Sequence, residues 1–232
     1  ENIVYKDGDV ELEAHAAWDD SISGPRPGIL IAHAWGGRAP FECNKATALA
    51  ELGYVGLAID MYGKGVLGSG PEENTKLMQP FMEDRSKLLQ RANAGLDALR
   101  SLDVVDNTKV GAIGFCFGGL TVLDLARGGA DVNGVVSFHG LLTASGIGSD
   151  DVKSKVLVLH GYDDPMVPPE QVVEFCKEMS DRNVDWQLHA YGDTVHAFTN
   201  PEANDASFGT VYKESADARS WLTMKNFFEE IF

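Results

Sequence analysis

The sequence predicts an α/β fold, with one mostly parallel sheet covered by helices on both faces, and three observations carry that expectation. Short, continuously apolar runs at residues 28–32, 54–59, 110–115, 132–138 and 156–160 have the character of strands buried on both sides. Between them lie segments whose apolar residues recur every three or four positions, as on an amphipathic helix. Strands alternating with helices of this size indicate parallel pairing through helical crossovers. No linker, internal repeat or low-complexity stretch divides the 232 residues, so residues 1–232 are expected to form a single domain.

Each element has its own signal. Val10, Leu12, Ala14 and Ala16 alternate with Glu11, Glu13, His15 and Ala17, the period-two pattern of a half-buried strand. Asp7-Gly8-Asp9 before it marks a tight turn, which makes the opening a hairpin. A helix is expected over 40–52. The glycines at 63, 65, 68 and 70, closed by Pro71, predict a loop or small lid around 60–80. Leu88, Leu89, Ala92, Leu96 and Leu99 form one apolar stripe in a helix over 82–102, with Lys87, Arg91, Asp97 and Arg100 largely on other faces. A helix follows over 119–126, and residues 141–151 read as a looser stretch. Pro168 and Pro169 open another helix, since proline at the first helical position forfeits no hydrogen bond. Residues 184–191 alternate like a strand near an edge, and 212–232 have the spacing of a final helix.

Lys plus Arg number 19 against 35 Asp plus Glu, a formal charge of −16. Nucleic acids and anionic lipid surfaces both want a basic face. The densest cationic group, Arg85, Lys87 and Arg91, directly follows Glu83 and Asp84. Neither nucleic acid nor membrane is therefore expected as a partner, and no apolar run approaches the length of a spanning helix. The first residues show no basic segment leading into an apolar one, which favours a cytoplasmic location. The chain begins without Met, so a removed export signal stays open. Cys43, Cys116 and Cys176 are odd in number and widely spaced, which argues against a disulfide framework. No His-Glu-x-x-His or Cys-x-x-Cys occurs, so neither metal nor cofactor is expected.

The sharpest signal lies at residues 110–119, Val-Gly-Ala-Ile-Gly-Phe-Cys-Phe-Gly-Gly. A buried strand runs into Gly114-x-Cys116-x-Gly118, with a helix following. In such an elbow the nucleophile sits on a strained turn, and the residues two positions away must lack side chains for the backbones to approach. The alternative is that Cys116 is simply a small buried hydrophobe. A strand over 156–160 leads into a loop with Asp163 and Asp164, and the loop after the last strand carries His196. Catalytic groups collect at such carboxyl ends, and the order nucleophile, acid, histidine is the one associated with this elbow. Gly63-Lys64-Gly65 lacks the spacing and the following Ser or Thr of a phosphate loop. His139 and His160, at strand ends, read as structural or pocket-lining residues.

Gly114-Phe115-Cys116-Phe117-Gly118-Gly119, Gly161-x-x-Asp164-Pro165-x-Val167-Pro168 and His196-x-Phe198 resemble the dienelactone hydrolase family, the cysteine-nucleophile branch of the α/β-hydrolase superfamily. The resemblance spans essentially the whole chain. It implies an α/β-hydrolase fold and a carboxylic ester hydrolase that cleaves small esters or lactones through a thioester acyl-enzyme. It also implies Cys116 as nucleophile, Asp164 rather than Asp163 as acid, and His196 as base. The backbone N–H groups of Trp35 and Phe117 would hold the oxyanion, and Trp35, His33, Phe198 and Arg85 would face the substrate. Two departures bear on substrate: Ala34 stands where the family carries a glutamate, and Asn200 stands where it carries an arginine. Arg85 is the candidate replacement for a second family arginine, the other reading being an exposed helix residue. Neutral esters, lactones or acylated sugars place less demand on such a pocket than an anionic dienelactone, because a buried carboxylate needs a paired cation. The alternative function is a noncatalytic ligand-binding or thiol-redox protein of the same fold, either one a monomer or homodimer.

Overall fold

A computed structural model describes residues 1–148 and 152–232. The last three residues of the expected loose stretch at 141–151 therefore lie outside the described residues. The chain has the α/β-hydrolase fold, a largely parallel sheet flanked by helices on both faces, with strand order β1-β2-β4-β3-β5-β6-β7-β8. It groups into two compact units, residues 1–113 and 114–232.

In the first unit, β1 (Asn2–Asp7) and β2 (Val10–Ala17) form the expected antiparallel hairpin, with Asp7 opposite Val10 and Gly8 at φ +57° in the turn. β2 pairs antiparallel with β4 (Val55–Ala58), which pairs parallel with β3 (Arg26–Ala32). The crossover helix α1 (Pro40–Ala50) packs so closely that a Cβ on Gly56 of β4 would lie 2.8 Å from the Ala46 backbone. Part of the region expected as a loop or small lid is helical instead: α2 covers Pro71–Glu83 and α3 follows over Arg85–Arg100. α2 escaped notice because it buries only Phe81, too little for a clear apolar stripe. In α3 the stripe residues Leu88, Ala92, Leu96 and Leu99 are buried as expected. Arg91, read as lying off that stripe, is buried as well. Its Nε donates to Asp7 Oδ2 at 2.7 Å and its Nη1 to the Met61 carbonyl at 2.7 Å, so the charge enters the interior already paired.

β5 (Val105–Phe115) begins five residues before its apolar run, with a polar first half. The second unit carries α4 (Phe117–Arg127), β6 (Gly134–Phe138), β7 (Lys155–Gly161), α5 (Pro169–Asp181), β8 (Trp186–Tyr191) and α6 (Glu214–Ile231). β6, β7 and β8 pair in parallel, and β8 ends the strand order as its alternating pattern implies. Val135, Phe138, Leu157, Leu159, Phe175, Met224 and Phe228 make the core of this unit. Two-residue strands β9 (Asn204–Asp205) and β10 (Thr210–Val211) form a small antiparallel pair too short to show periodicity in the sequence.

Candidate active site

The turn from β5 into α4 has the geometry its glycines imply. Cys116 stands at φ 55° and ψ −114°, a strained conformation for a residue with a side chain. A Cβ on Gly114 would fall 2.0 Å from the Gly118 carbonyl oxygen, and one on Gly119 would fall 2.6 Å from Gly140 Cα. Both are backbone contacts that cannot yield, so the elbow closes only with glycine there. The Cys116 N–H donates to the Phe138 carbonyl at 3.1 Å, fixing the turn against the end of β6. Phe117 is the first residue of α4, so its N–H lies at the positive end of the helix dipole.

Two loops bring a carboxylate and an imidazole together. Asp164 accepts the Met166 N–H at 2.8 Å on Oδ1, which orients the carboxylate, and meets His196 Nδ1 at 2.7 Å on Oδ2. Both side chains are buried. Asp163 instead accepts the Thr194 N–H at 3.3 Å, a loop contact, so the adjacent aspartates have different partners. A Cβ on Gly161 would collide with the Thr194 and Val195 carbonyls at 2.7 Å, which shows how tightly the acid and histidine loops are laid together. The His196 backbone is held in turn by Gly209 and Val211. Gly209 adopts φ +76°, and a Cβ there would lie 2.3 Å from Cγ of Pro165, the neighbour of Asp164. This glycine braces both loops, and no motif in the sequence announced it.

With Nδ1 on Asp164, Nε2 of His196 is buried and makes no hydrogen bond among the described residues. Burial alone favours the neutral ring. Electrostatic attraction to Cys116, with the hydrogen bond and charge of Asp164, outweighs it and raises the His196 pKa to about 10. The arrangement can therefore hold an imidazolium against the Asp164 carboxylate across the neutral range. His160 differs: burial holds its pKa below the ordinary histidine value, with Asp164 opposing and His196 reinforcing that effect.

Two of the residues expected on the substrate side, His33 and Phe198, are fully buried. His33 has no exposed surface, and both ring nitrogens are engaged by backbone: Nδ1 meets the Ala34 carbonyl at 2.6 Å, and Nε2 accepts the Met61 N–H at 3.1 Å. It orders the loop after β3 and has no polar atom to offer a ligand. Phe198 is likewise fully buried, its ring 5.1 Å from His139 and 5.7 Å from Tyr191, so it is packing beside His196. Trp35 lies in the same loop as His33, where its carbonyl accepts from Tyr62 Oη at 2.9 Å, and Arg85 is the first residue of α3. Asn200, at the family arginine position, uses Oδ1 to accept the Glu202 N–H at 3.0 Å.

Ala34 leaves no glutamate at the family position, but a nearby one was overlooked. Glu42, buried at the third position of α1, accepts the Ala34 N–H at 3.2 Å and the Ala39 N–H at 3.0 Å. Burial raises its pKa to about 7 against the opposing pull of these amides and of Arg38. Its signal was a helix-opening Pro40 followed by an acid two residues on, a position from which glutamate reaches back to cap the helix. Cys43, Cys116 and Cys176 are free thiols. Among the described residues, no group of three His, Cys, Asp or Glu side chains is placed to hold a metal ion. Among them also, no helix is long and apolar enough to cross a membrane.

The dienelactone hydrolase family profile matches residues 12–232. The chain belongs to the dienelactone hydrolase family. A metagenomic protein described as a dienelactone hydrolase-like promiscuous phosphotriesterase, P91, is 39% identical, with a TM-score of 0.95 over 100% of this chain and 98% of its own. A structure described as m3DLH is 36% identical, with a TM-score of 0.96 and the same coverage. An uncharacterized Caenorhabditis elegans protein, K02A2.1, is 41% identical over 150 residues, 63% of this chain and 95% of that one.

Proposed function

We propose that this dienelactone hydrolase family member cleaves small esters or lactones with Cys116 as nucleophile, His196 as acid and base, and Asp164 as the group that fixes His196. The observation that carries the reading is the 2.7 Å Asp164–His196 contact, together with a cysteine on a strained strand-to-helix elbow whose charge acts on His196. The Cys116 thiolate attacks the substrate carbonyl carbon, and negative charge moves onto the carbonyl oxygen. The Phe117 N–H, at the N-terminus of α4, holds that oxyanion. The intermediate collapses by breaking the bond to the leaving oxygen, which takes the Nε2 proton and departs as an alcohol. Neutral His196 then removes a proton from water. The resulting hydroxide attacks the thioester and expels thiolate, and the acid product leaves beside a restored imidazolium.

Asn200 in place of the family arginine supports neutral acyl groups over anionic lactones, because nothing at that position pairs a substrate carboxylate. The test compares hydrolysis of p-nitrophenyl acetate, a neutral δ-lactone and a neutral phosphotriester (the last suggested by the metagenomic relative) by wild type and Cys116→Ala. Turnover of the ester or lactone that vanishes in the variant supports the reading. Equal rates in both proteins contradict it, and absence of any turnover by wild type favours a ligand-binding or thiol-redox role.

A further inference from the structure

Among the described residues, five non-glycine positions have positive φ: Cys116, His139, Asn183, Asp193 and Ala197. Three of them build the nucleophile and histidine loops. His139, at φ 39° just past β6, is the one beside the site with no part in the chemistry above. Conformational strain of this kind persists where surrounding contacts impose it, and here the contacts are specific. The His139 N–H donates to the Leu159 carbonyl at 2.8 Å, tying the residue to β7. Its Nε2 pairs with Thr199 Oγ1 at 2.8 Å, three residues beyond His196 in the same loop. Its ring meets that of His196 edge to face at a centroid distance of 5.2 Å and that of Phe198 at 5.1 Å. Thr199 and Phe198 have no exposed surface.

We infer that His139 is a positioning residue for the general base: it clamps the 196–199 loop through Thr199 and sets the plane of the His196 ring. The inference rests on His196 serving Cys116 as proposed. Asp164 fixes one nitrogen of His196, a single point that does not by itself set the plane of the ring. A ring packed against its side, itself anchored to β7 and to the loop, removes that freedom. Misplacing a catalytic group by about an ångström costs on the order of a hundredfold in rate, so a partial loosening is expected to cost about tenfold.

Three variants test this: Thr199→Val, which removes the tether in a side chain of the same shape; His139→Phe, which keeps a ring against His196; and His139→Ala, which removes both. Two readouts apply: kcat and KM for p-nitrophenyl acetate, and the pH profile of Cys116 alkylation by iodoacetamide, a reaction that needs the His196–thiolate pair but no oxyanion site. The expected result for Thr199→Val is a kcat lower by about tenfold with KM within about twofold, and an alkylation profile displaced to higher pH. His139→Phe is expected to retain more activity than His139→Ala. Unchanged alkylation profiles in both Thr199→Val and His139→Phe, or a rise in KM with kcat intact, overturn the inference. Wild-type alkylation and turnover that do not respond to His196→Ala mean instead that the underlying base assignment has failed.

Discussion

His196 is held by opposing forces: burial favours its neutral ring, while Cys116 and Asp164 favour the cation and prevail. Removing one attractive partner must therefore bring the pKa down. In Cys116→Ala the His196 imidazole, followed by NMR titration, is expected to lose its proton well below its value of about 10 in the wild type. An unchanged titration means that sulfur and ring do not interact. The neighbouring aspartates give a second residue-scale contrast. Asp164→Asn is expected to lower kcat for p-nitrophenyl acetate by roughly two to four orders of magnitude, the scale of a disabled general base. Asp163→Asn, which disturbs only a long contact to the Thr194 N–H, is expected to cost less than about tenfold. The proposed triad residues are legible because their chemistry restricts residue type, and a cysteine between spaced glycines followed by Asp-Pro and His-x-Phe leaves few readings. Sequence places His33 and Phe198 near the site but does not show that backbone groups engage the His33 ring or that Phe198 is packed inside.

The elbow is an element-scale device, since strand, turn and helix fit only when two backbones come within contact of each other. Gly114→Ala sets a methyl group 2.0 Å from a carbonyl oxygen. It is expected to destabilise the fold by about 3 kcal/mol or more, read from denaturant unfolding, and to abolish turnover. A stable, active variant contradicts the elbow geometry. Gly114 was readable from its motif, whereas Gly209, which performs a similar service between the acid and histidine loops, was not. Its requirement comes from Pro165, 44 positions away in the chain, and long-range packing leaves no local trace. The same limit explains α2 and the β9–β10 pair: one buries a single side chain, and the other has two residues per strand. Long, strongly periodic elements such as α3 and the buried parallel strands declared themselves because burial on one or both faces dictates residue type along their length.

The whole molecule carries a charge of −16, and stability should rise with added salt as self-repulsion is screened. Superimposed on this is the buried Glu42, whose pKa of about 7 lies above the ordinary value of 4.5. Between those values the native state keeps a proton that the unfolded chain has lost, so stability falls as pH rises through the window. The contribution is fully present below about 4.5 and gone above about 7, an effect on the order of 3 kcal/mol. Glu42→Gln is expected to flatten that limb in unfolding free energies measured from pH 5 to 8, and an identical slope in both proteins refutes the assignment. Composition made the charge plain but gave no hint that one carboxyl is buried, because burial is a property of the finished fold. The account's central claim, a covalent acyl-cysteine, is tested most directly by quenching the wild type during p-nitrophenyl acetate turnover and measuring its mass. One acetyl group on the peptide containing Cys116, absent from Cys116→Ala, is the predicted result. Continued turnover with no acyl group on that peptide, or with acetylation elsewhere, contradicts it.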